Sequence, residues 1–176
     1  MFFSDVEKTY AGYVQSKIGG DLGSVPWSGV VGLRLVRTEQ TLGGNNVDTA
    51  SPILAYTPTS KKNSSVDLLP SANLKFNLRP DLIGRISLGR TVTRPDFAQL
   101  NPGVSLSTVA SNTTFLSGSG GNPNLKPVTS DSLDTSLEWY FAADGFLTLA
   151  YFHRNIDGYV ETTSANEVIN GTTYIM

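Results

Sequence analysis

Along most of this chain apolar and polar side chains alternate with a period of two, the spacing that puts neighbours on opposite faces of a β-strand. Six stretches carry the pattern, at about 7–18, 27–38, 66–78, 82–93, 130–141 and 146–160. In the first, Tyr10, Gly12, Val14, Ser16 and Ile18 share a side; in the second, Val31, Leu33 and Leu35 oppose Gly32 and Arg34. The third is the clearest: Val66, Leu68, Ala72, Leu74, Phe76 and Leu78 lie opposite Asp67, Ser71, Asn73, Lys75 and Asn77. The fourth sets Leu82, Ile86, Leu88 and Val92 against Arg85, Ser87, Thr91 and Thr93. The fifth sets Leu133, Thr135, Leu137, Trp139 and Phe141 against Ser132, Asp134, Ser136 and Glu138. In the sixth, both Leu147, Leu149 and Tyr151 and their neighbours Phe146, Ala150 and Phe152 are apolar, so its orientation stays open.

The connections alternate in length. Residues 77–81, with Pro80, and 142–145, with Asp144 and Gly145, read as tight turns, and the link 19–26 is modest. The stretches 39–65 and 94–129 are long, polar and rich in Gly, Asn, Pro and Ser, and loops of that size are uncommon inside compact domains. Short turns on one rim and long loops on the other are the plan of a membrane β-barrel. Strand length agrees, since a tilted membrane-crossing strand needs about 9–11 residues and a soluble strand most often has about 5–6.

Two residues test this reading. Arg90 falls in register with the apolar face of the fourth strand, where a cation costs about 2–4 kcal/mol at the bilayer midplane but about 0–1 near the interface. Eight residues beyond Leu82, it lies roughly 20 Å up an apolar band roughly 25 Å tall, so it can snorkel outward or be turned inward by a bulge. Pro70 cannot donate to a ladder and is expected near the loop-side end of the third strand, where pairing is weakest. Aromatic residues gather at the turn side instead: Trp139, Tyr140 and Phe141 end the fifth strand, Trp27 starts the second and Phe146 starts the sixth. This is a candidate interfacial girdle.

Composition supports strands and narrows the chemistry. Charged residues make up 16% of the 176, below the usual quarter or so, and mean hydropathy is −0.09, as expected where lipid-facing and lumen-facing residues cancel. The net charge of −2 leaves no basic footprint for nucleic acid. No apolar run approaches the roughly 20 residues of a spanning helix, and the acidic Asp5 and Glu7 interrupt any leader-like opening. The absence of cysteine rules out a His/Cys metal cluster and fits an oxidising compartment.

Four segments resemble those of TonB-dependent receptors: GNPNLKP at 121–127 before SDSLDTSLEWYF, TVTRPDF at 91–97, LLPSANLKFNL at 68–78, and YFHRNIDGYV at 151–160. Their order and spacing match too, over roughly 67–160, with weaker support from 7–38. The motif residues are Arg94, Pro95, Asp96 and Phe97, then Asn122, Pro123, Asn124, Leu125, Lys126 and Pro127. Physically, Pro95, Pro123 and Pro127 end ladder pairing, while Arg94, Asp96, Lys126 and Asp131 place charge at the outer rim. They are read first as strand terminators and second as loop residues that meet a ligand.

The resemblance implies an all-β fold: an antiparallel up-and-down meander of about six long strands, an open curved segment of a barrel of about 22 strands. It implies outer loops at 39–65, 94–129 and 161–176. The chain is expected to be a fragment, from a broken reading frame or a truncated sequence, with no plug domain and no aromatic-terminated final strand. The implied partners are outer-membrane lipid and lipopolysaccharide and, in an intact protein, its own plug and TonB. The implied function is energy-coupled uptake of siderophores, cobalamin or carbohydrates at the cell outer membrane. Alternatives are a different, porin-like outer-membrane barrel and a soluble β-sandwich binding module.

Enzymatic chemistry finds no support in the residues. His153, beside Arg154, reads as a lumen or rim residue. Of the acidic pairs, Asp134 and Glu138 share a strand face and Asp131 and Asp134 do not, which suits a polar wall better than an acid–base couple. GSGGNP at 118–123 lacks the Lys-Ser/Thr of a phosphate loop and reads as a flexible outer loop. No G-x-S-x-G elbow is present, and the N-x-S/T triplets at Asn63, Asn112 and Asn170 read as accidents of polar loops. No cofactor, metal or catalytic residue is expected.

Overall fold

The computed structural model describes residues 3–48, 55–109, 115–169 and 172–175. Among them all regular structure is β: β1 (Ser4–Leu22), β2 (Val25–Asp48), β3 (Ala55–Arg79), β4 (Leu82–Thr93), β5 (Val104–Val109), β6 (Phe115–Gly120), β7 (Val128–Ala142), β8 (Gly145–Asp157), β9 (Asn166–Ile169) and β10 (Thr172–Ile175). They form one sheet that curls into an open half-barrel. Its wall is the antiparallel run β1-β2-β3-β4-β7-β8, so the six long strands expected from the alternation are all present.

The strands at the first hairpins are much longer than the alternation suggests. β2 and β3 stay paired from Trp27↔Phe76 to Asp48↔Ala55, so most of the stretch expected as a loop at 39–65 is ladder. Polar residues mask this part, because once a strand rises beyond an apolar layer both faces meet water and the period disappears. The expected loop 94–129 likewise contains β5 and β6, and the expected loop 161–176 contains β9 and β10. The triplets at Asn112 and Asn170 lie outside the described residues.

Three tight turns, at 23–24, 80–81 and 143–144, share one rim. Gly23 adopts φ +64°, a left-handed conformation that favours glycine. Gly145 acts differently from the turn role expected of it: it opens β8, and a Cβ there would meet the Phe141 ring at 2.6 Å. Around these turns Trp27 stacks on Phe76 with ring centroids 6.4 Å apart, and Trp139 meets Phe141 edge-on at 5.5 Å. The Trp139 indole N–H also donates to Asp81 Oδ2 at 2.9 Å, which ties β7 to the β3–β4 turn. A buried or interfacial Trp usually needs such a partner for its polar edge.

Register sorts the side chains onto two faces. One face carries Val14, Leu33, Leu35, Leu68, Leu88, Leu137 and Trp139, and it also receives Leu147, Leu149 and Tyr151, opposite Trp139, Leu137 and Thr135. This settles the open orientation of the sixth strand, and Phe152 falls on the other face. That other face is polar, with Arg85 bonded to Glu138 at 2.7 Å, Arg154 to Asp134 at 3.3 Å and Ser87 to Asn73 at 2.6 Å. Asp134 and Glu138 are thus each matched to a cation.

The apolar face is exposed: Leu149 retains 71% of its surface, Val14 66% and Leu33 42%. No second sheet covers it among the described residues. Arg90 does lie on this face, without a bulge, since the β4–β7 ladder runs unbroken from Leu82 to Thr93. It faces Asp131 and makes two charge-assisted bonds to that carboxylate, at 2.6 and 2.7 Å. Pro70 is not near the end of β3 as expected. It sits mid-strand opposite Leu33, one residue beyond the point where β4 stops pairing at Ser71↔Gly89. His153 is not on the polar face either: it stands opposite Leu133, one row in from Asp131 and Asn155.

The outer margin of the apolar face is slanted. Moving away from the turns, the first charged or amide side chain on each strand is Lys8, Arg37, Lys62, Arg90, Asp131 and Asn155 in wall order. Traced through the ladders, Lys8 stands level with Glu39 of β2, while Asn155 and Asp131 stand level with Leu33. Lys62 stands level with Thr41 and Arg90 with Leu33, so the margin lies four to eight residues higher on β1–β3 than on β4, β7 and β8 and falls in one step between β3 and β4. From end to end, six residues at about 3.4 Å over five spacings of about 4.8 Å average to a gradient of about 40°.

Candidate functional site

The buried apolar side chains are few, and most of them lie away from the turns. Leu42 (2% exposed), Leu100 (1%) and Leu106 are buried where the connection after β4 folds back over the polar face of β2 and β3, and Tyr174 is buried on β10 beside β6. Topology forces this crossing. β1 pairs with β2 only as far as Gly43, and β5 takes the same edge beyond it, with Val47↔Ser105 and Asp48↔Leu106 in parallel. To reach that edge from β4, residues 94–103 must pass across β3 and β2.

Glycines permit the crossing. A Cβ on Gly44 would lie 2.7 Å from Asn101 Oδ1 and 2.9 Å from the Gly103 nitrogen, and one on Gly121 would lie 2.5 Å from the Gln99 carbonyl oxygen. Two asparagines bind the backbone: the Val104 N–H donates to Asn46 Oδ1 at 3.0 Å, and the Gly103 N–H to Asn101 Oδ1 at 2.9 Å.

The two motif segments meet here. The Asn122 N–H donates to the Gln99 carbonyl at 2.7 Å, so the residues after Phe97 are joined directly to the start of the NPNLKP stretch. The Asp96 carbonyl accepts from the N–H groups of Gln99 and Leu100, closing a tight turn, and the Asp96 N–H donates to Gln99 Oε1 at 3.0 Å. Phe97 is half-exposed on that turn. Asn122 organises the second segment, its Oδ1 accepting from the Asn124 N–H at 2.9 Å and its carbonyl from the Leu125 N–H at 3.2 Å.

Arg94 fastens the first segment to the wall. Its Nη2 donates to Thr38 Oγ1, and its Nη1 lies 3.8 Å from Glu7 Oε1. Glu7 in turn accepts from Gln40 Nε2 at 2.9 Å, so β1, β2 and the loop share one polar cluster around the buried Thr38. The second segment is fastened by Asn63, whose side-chain amide donates to the Pro123 carbonyl. Between the fastenings lies a cavity of about 320 Å³, lined by Thr38, Gln40 and residues 62–65 from the wall and by Arg94, Pro95, Asn124, Leu125, Lys126 and Pro127 from the loop.

All ten motif residues therefore fall in one connected assembly, and six of them line its cavity. The sequence reading misses the wall side: Glu7, Thr38, Gln40 and Asn63. Thr38 and Gln40 carry no periodic signal, since Arg37, Glu39 and Thr41 on the other face are polar too. GSGGNP is also not the free loop expected: Gly118 and Gly120 pair with Leu106 and Val104, and Gly121 is packed against backbone.

The whole chain also matches a known family. The sequence profile of the TonB dependent receptor-like β-barrel matches residues 2–175. The chain belongs to that family. No curated protein sequence matches it. The half-barrel wall of this TonB-dependent receptor chain thus carries its loop motifs folded inward over the polar face, where Arg94 and Asn63 hold them.

Replacing Arg94 by Ala should release this loop, because a hydrogen bond to a charged donor contributes about 1.5–3 kcal/mol. Amide exchange in 104–109 is expected to rise by at least tenfold while that of 82–92 stays unchanged; equal exchange in both segments would contradict the fastening. Asp5 provides the pH test. Its carboxylate oxygens are buried without a hydrogen-bond partner, and burial, with Glu7 adding repulsion, pushes its pKa above the ordinary value. The folded state therefore favours the neutral acid: the benefit is complete below about pH 4 and is lost as pH rises through the raised value. Amide protection at 4–8, taken relative to the intrinsic exchange rate at each pH, should thus fall between acid and neutral pH, and Asp5→Asn should flatten that profile.

Proposed function

We propose that this chain forms barrel wall and extracellular loops of an outer-membrane transporter, which takes up siderophores, cobalamin or carbohydrates with energy delivered through a plug domain and TonB. The observation that carries the reading is the exposed apolar face, whose charged margin stands higher on β1–β3 than on β4, β7 and β8. A bilayer has flat boundaries, so on tilted strands its edge must cut obliquely across the ladder rows. The end-to-end gradient of about 40° agrees with the tilt of about 35–45° of membrane barrels. In a soluble β-sandwich an inner face would be covered by another sheet.

Other features support the same reading. The aromatic clusters at the turn rim suit the interface, where amphipathic rings are favoured. Arg90 lies at the opposite margin with its charge neutralised by Asp131, a placement that avoids the cost of a lone cation in hydrocarbon. The polar face, with its cation–carboxylate pairs, suits contact with water and a plug. The loop cavity beside Arg94 and Lys126 offers a lip where an incoming ligand can first be held, and the role is one of transport rather than catalysis.

Expressed in a Gram-negative cell, the chain is expected to sediment with outer membranes and to resist extraction by carbonate. Recovery as a soluble monodisperse protein would contradict the proposal. Within vesicles, Leu137→Arg should destabilise by about 2–4 kcal/mol and Ser136→Arg by much less, read by urea unfolding.

A further inference from the structure

We propose that the cavity between the pinned loop and the wall binds an acidic monosaccharide, a single sugar ring bearing one carboxylate, with that carboxylate between Arg94 and Lys126. The inference rests on the transport reading and names the chemistry of the ligand held at this lip. It starts from two side chains that serve twice: Arg94 and Asn63 fasten the loop to the wall and also line the cavity. A ligand bound to them therefore joins loop and wall as well.

The charge of the lining selects a monoanion. Among the described residues, Arg94 and Lys126 line the cavity and no carboxylate does. Lys62 borders it too, but register puts that side chain on the apolar side of β3, opposite Thr41. Arg94 is partly balanced, because Glu7 Oε1 lies 3.8 Å from its Nη1. Its Nε, however, is buried with no hydrogen-bond partner. A buried donor without an acceptor carries its full desolvation cost, so a ligand oxygen beside it is favoured. Lys126 is exposed and has no ion-pair partner among the described residues. One unsatisfied donor and one unpaired cation match a carboxylate better than a phosphate dianion.

Size and the rest of the lining select a sugar. A volume of about 320 Å³ stands at the low end of the roughly 300–1,000 Å³ of ligand pockets. It admits one ring and is too small for a macrocycle or a large metal chelate. Beside the cations stand the amides of Gln40, Asn63 and Asn124 and the hydroxyls of Thr38 and Ser65. Gln40 and Asn63 donate with their nitrogens to Glu7 and to the Pro123 carbonyl, which directs their side-chain oxygens to accept from ligand hydroxyls. Leu125 and Pro127 add apolar surface for the C–H face of a ring.

The test uses the full chain reconstituted in phosphatidylcholine vesicles and titrated by calorimetry with galacturonate, galactose, acetate and ferric citrate. Galacturonate should bind at least about tenfold more tightly than galactose, which lacks the charge, and than acetate, which lacks the hydroxyls. Lys126→Gln should weaken galacturonate about fivefold and leave galactose unchanged, while Lys8→Gln, on the apolar side of β1, should change neither. At about ten times its dissociation constant, galacturonate should also slow amide exchange at 122–126 by up to about tenfold, with 82–92 unchanged. Equal binding of galactose and galacturonate, an unaffected Lys126→Gln, or ferric citrate bound as tightly as galacturonate overturns the site. Insertion without galacturonate binding defeats only this inference, whereas failure to insert into the vesicles defeats the membrane reading with it.

Discussion

The ladder of backbone hydrogen bonds between antiparallel strands is the constraint on which this structure depends. Because every strand is locked to its neighbour, side chains can point in only two directions, and a two-residue period becomes two surfaces. Shifting one strand by a single residue would exchange Leu68 for Asp67 and Leu88 for Ser87 on the apolar side. The pairing is continuous across six long strands, so the two surfaces stay distinct over the whole wall. Packing in the ordinary sense contributes little, as the few buried apolar side chains lie mainly under the loops.

Above the apolar layer the same ladder serves another purpose. β2 and β3 continue as a long hairpin, and its polar face becomes a floor onto which the connection after β4 is laid. Close backbone approaches at Gly44, Gly103 and Gly121 let the chain lie flat on that floor. Side chains then fasten it, through Arg94 to Thr38 and Asn63 to the Pro123 carbonyl. A rigid wall and a pinned loop together shape a cavity at the lip of the half-barrel, which is where a transporter of this family has most use for one.

Much of this was legible in the residues. Alternation alone assigns the faces of β3, β4 and β7, and the placement of Arg90 among apolar neighbours follows from its register with Leu88. Its partner does not follow, because the register of Asp131 depends on a connection of more than thirty residues. The orientation of β8 is hidden for a different reason: Phe152 and Tyr151 are equally apolar, and only the ladder to β7 separates them. The loop motifs single out ten residues that the fold brings into one assembly, yet their wall partners Glu7, Thr38 and Asn63 are ordinary polar residues distant in sequence. Long-range contacts of that kind leave no local periodic trace.

A wall of this kind requires its two faces to meet different solvents. Single cysteines placed in turn at 66 through 76 of the reconstituted chain, probed with a water-soluble thiol reagent and a lipid-phase quencher, test this directly. Even positions should resist the reagent and be quenched from the lipid, while odd positions should label readily. Uniform labelling, or protection of both sets from both probes, would contradict it.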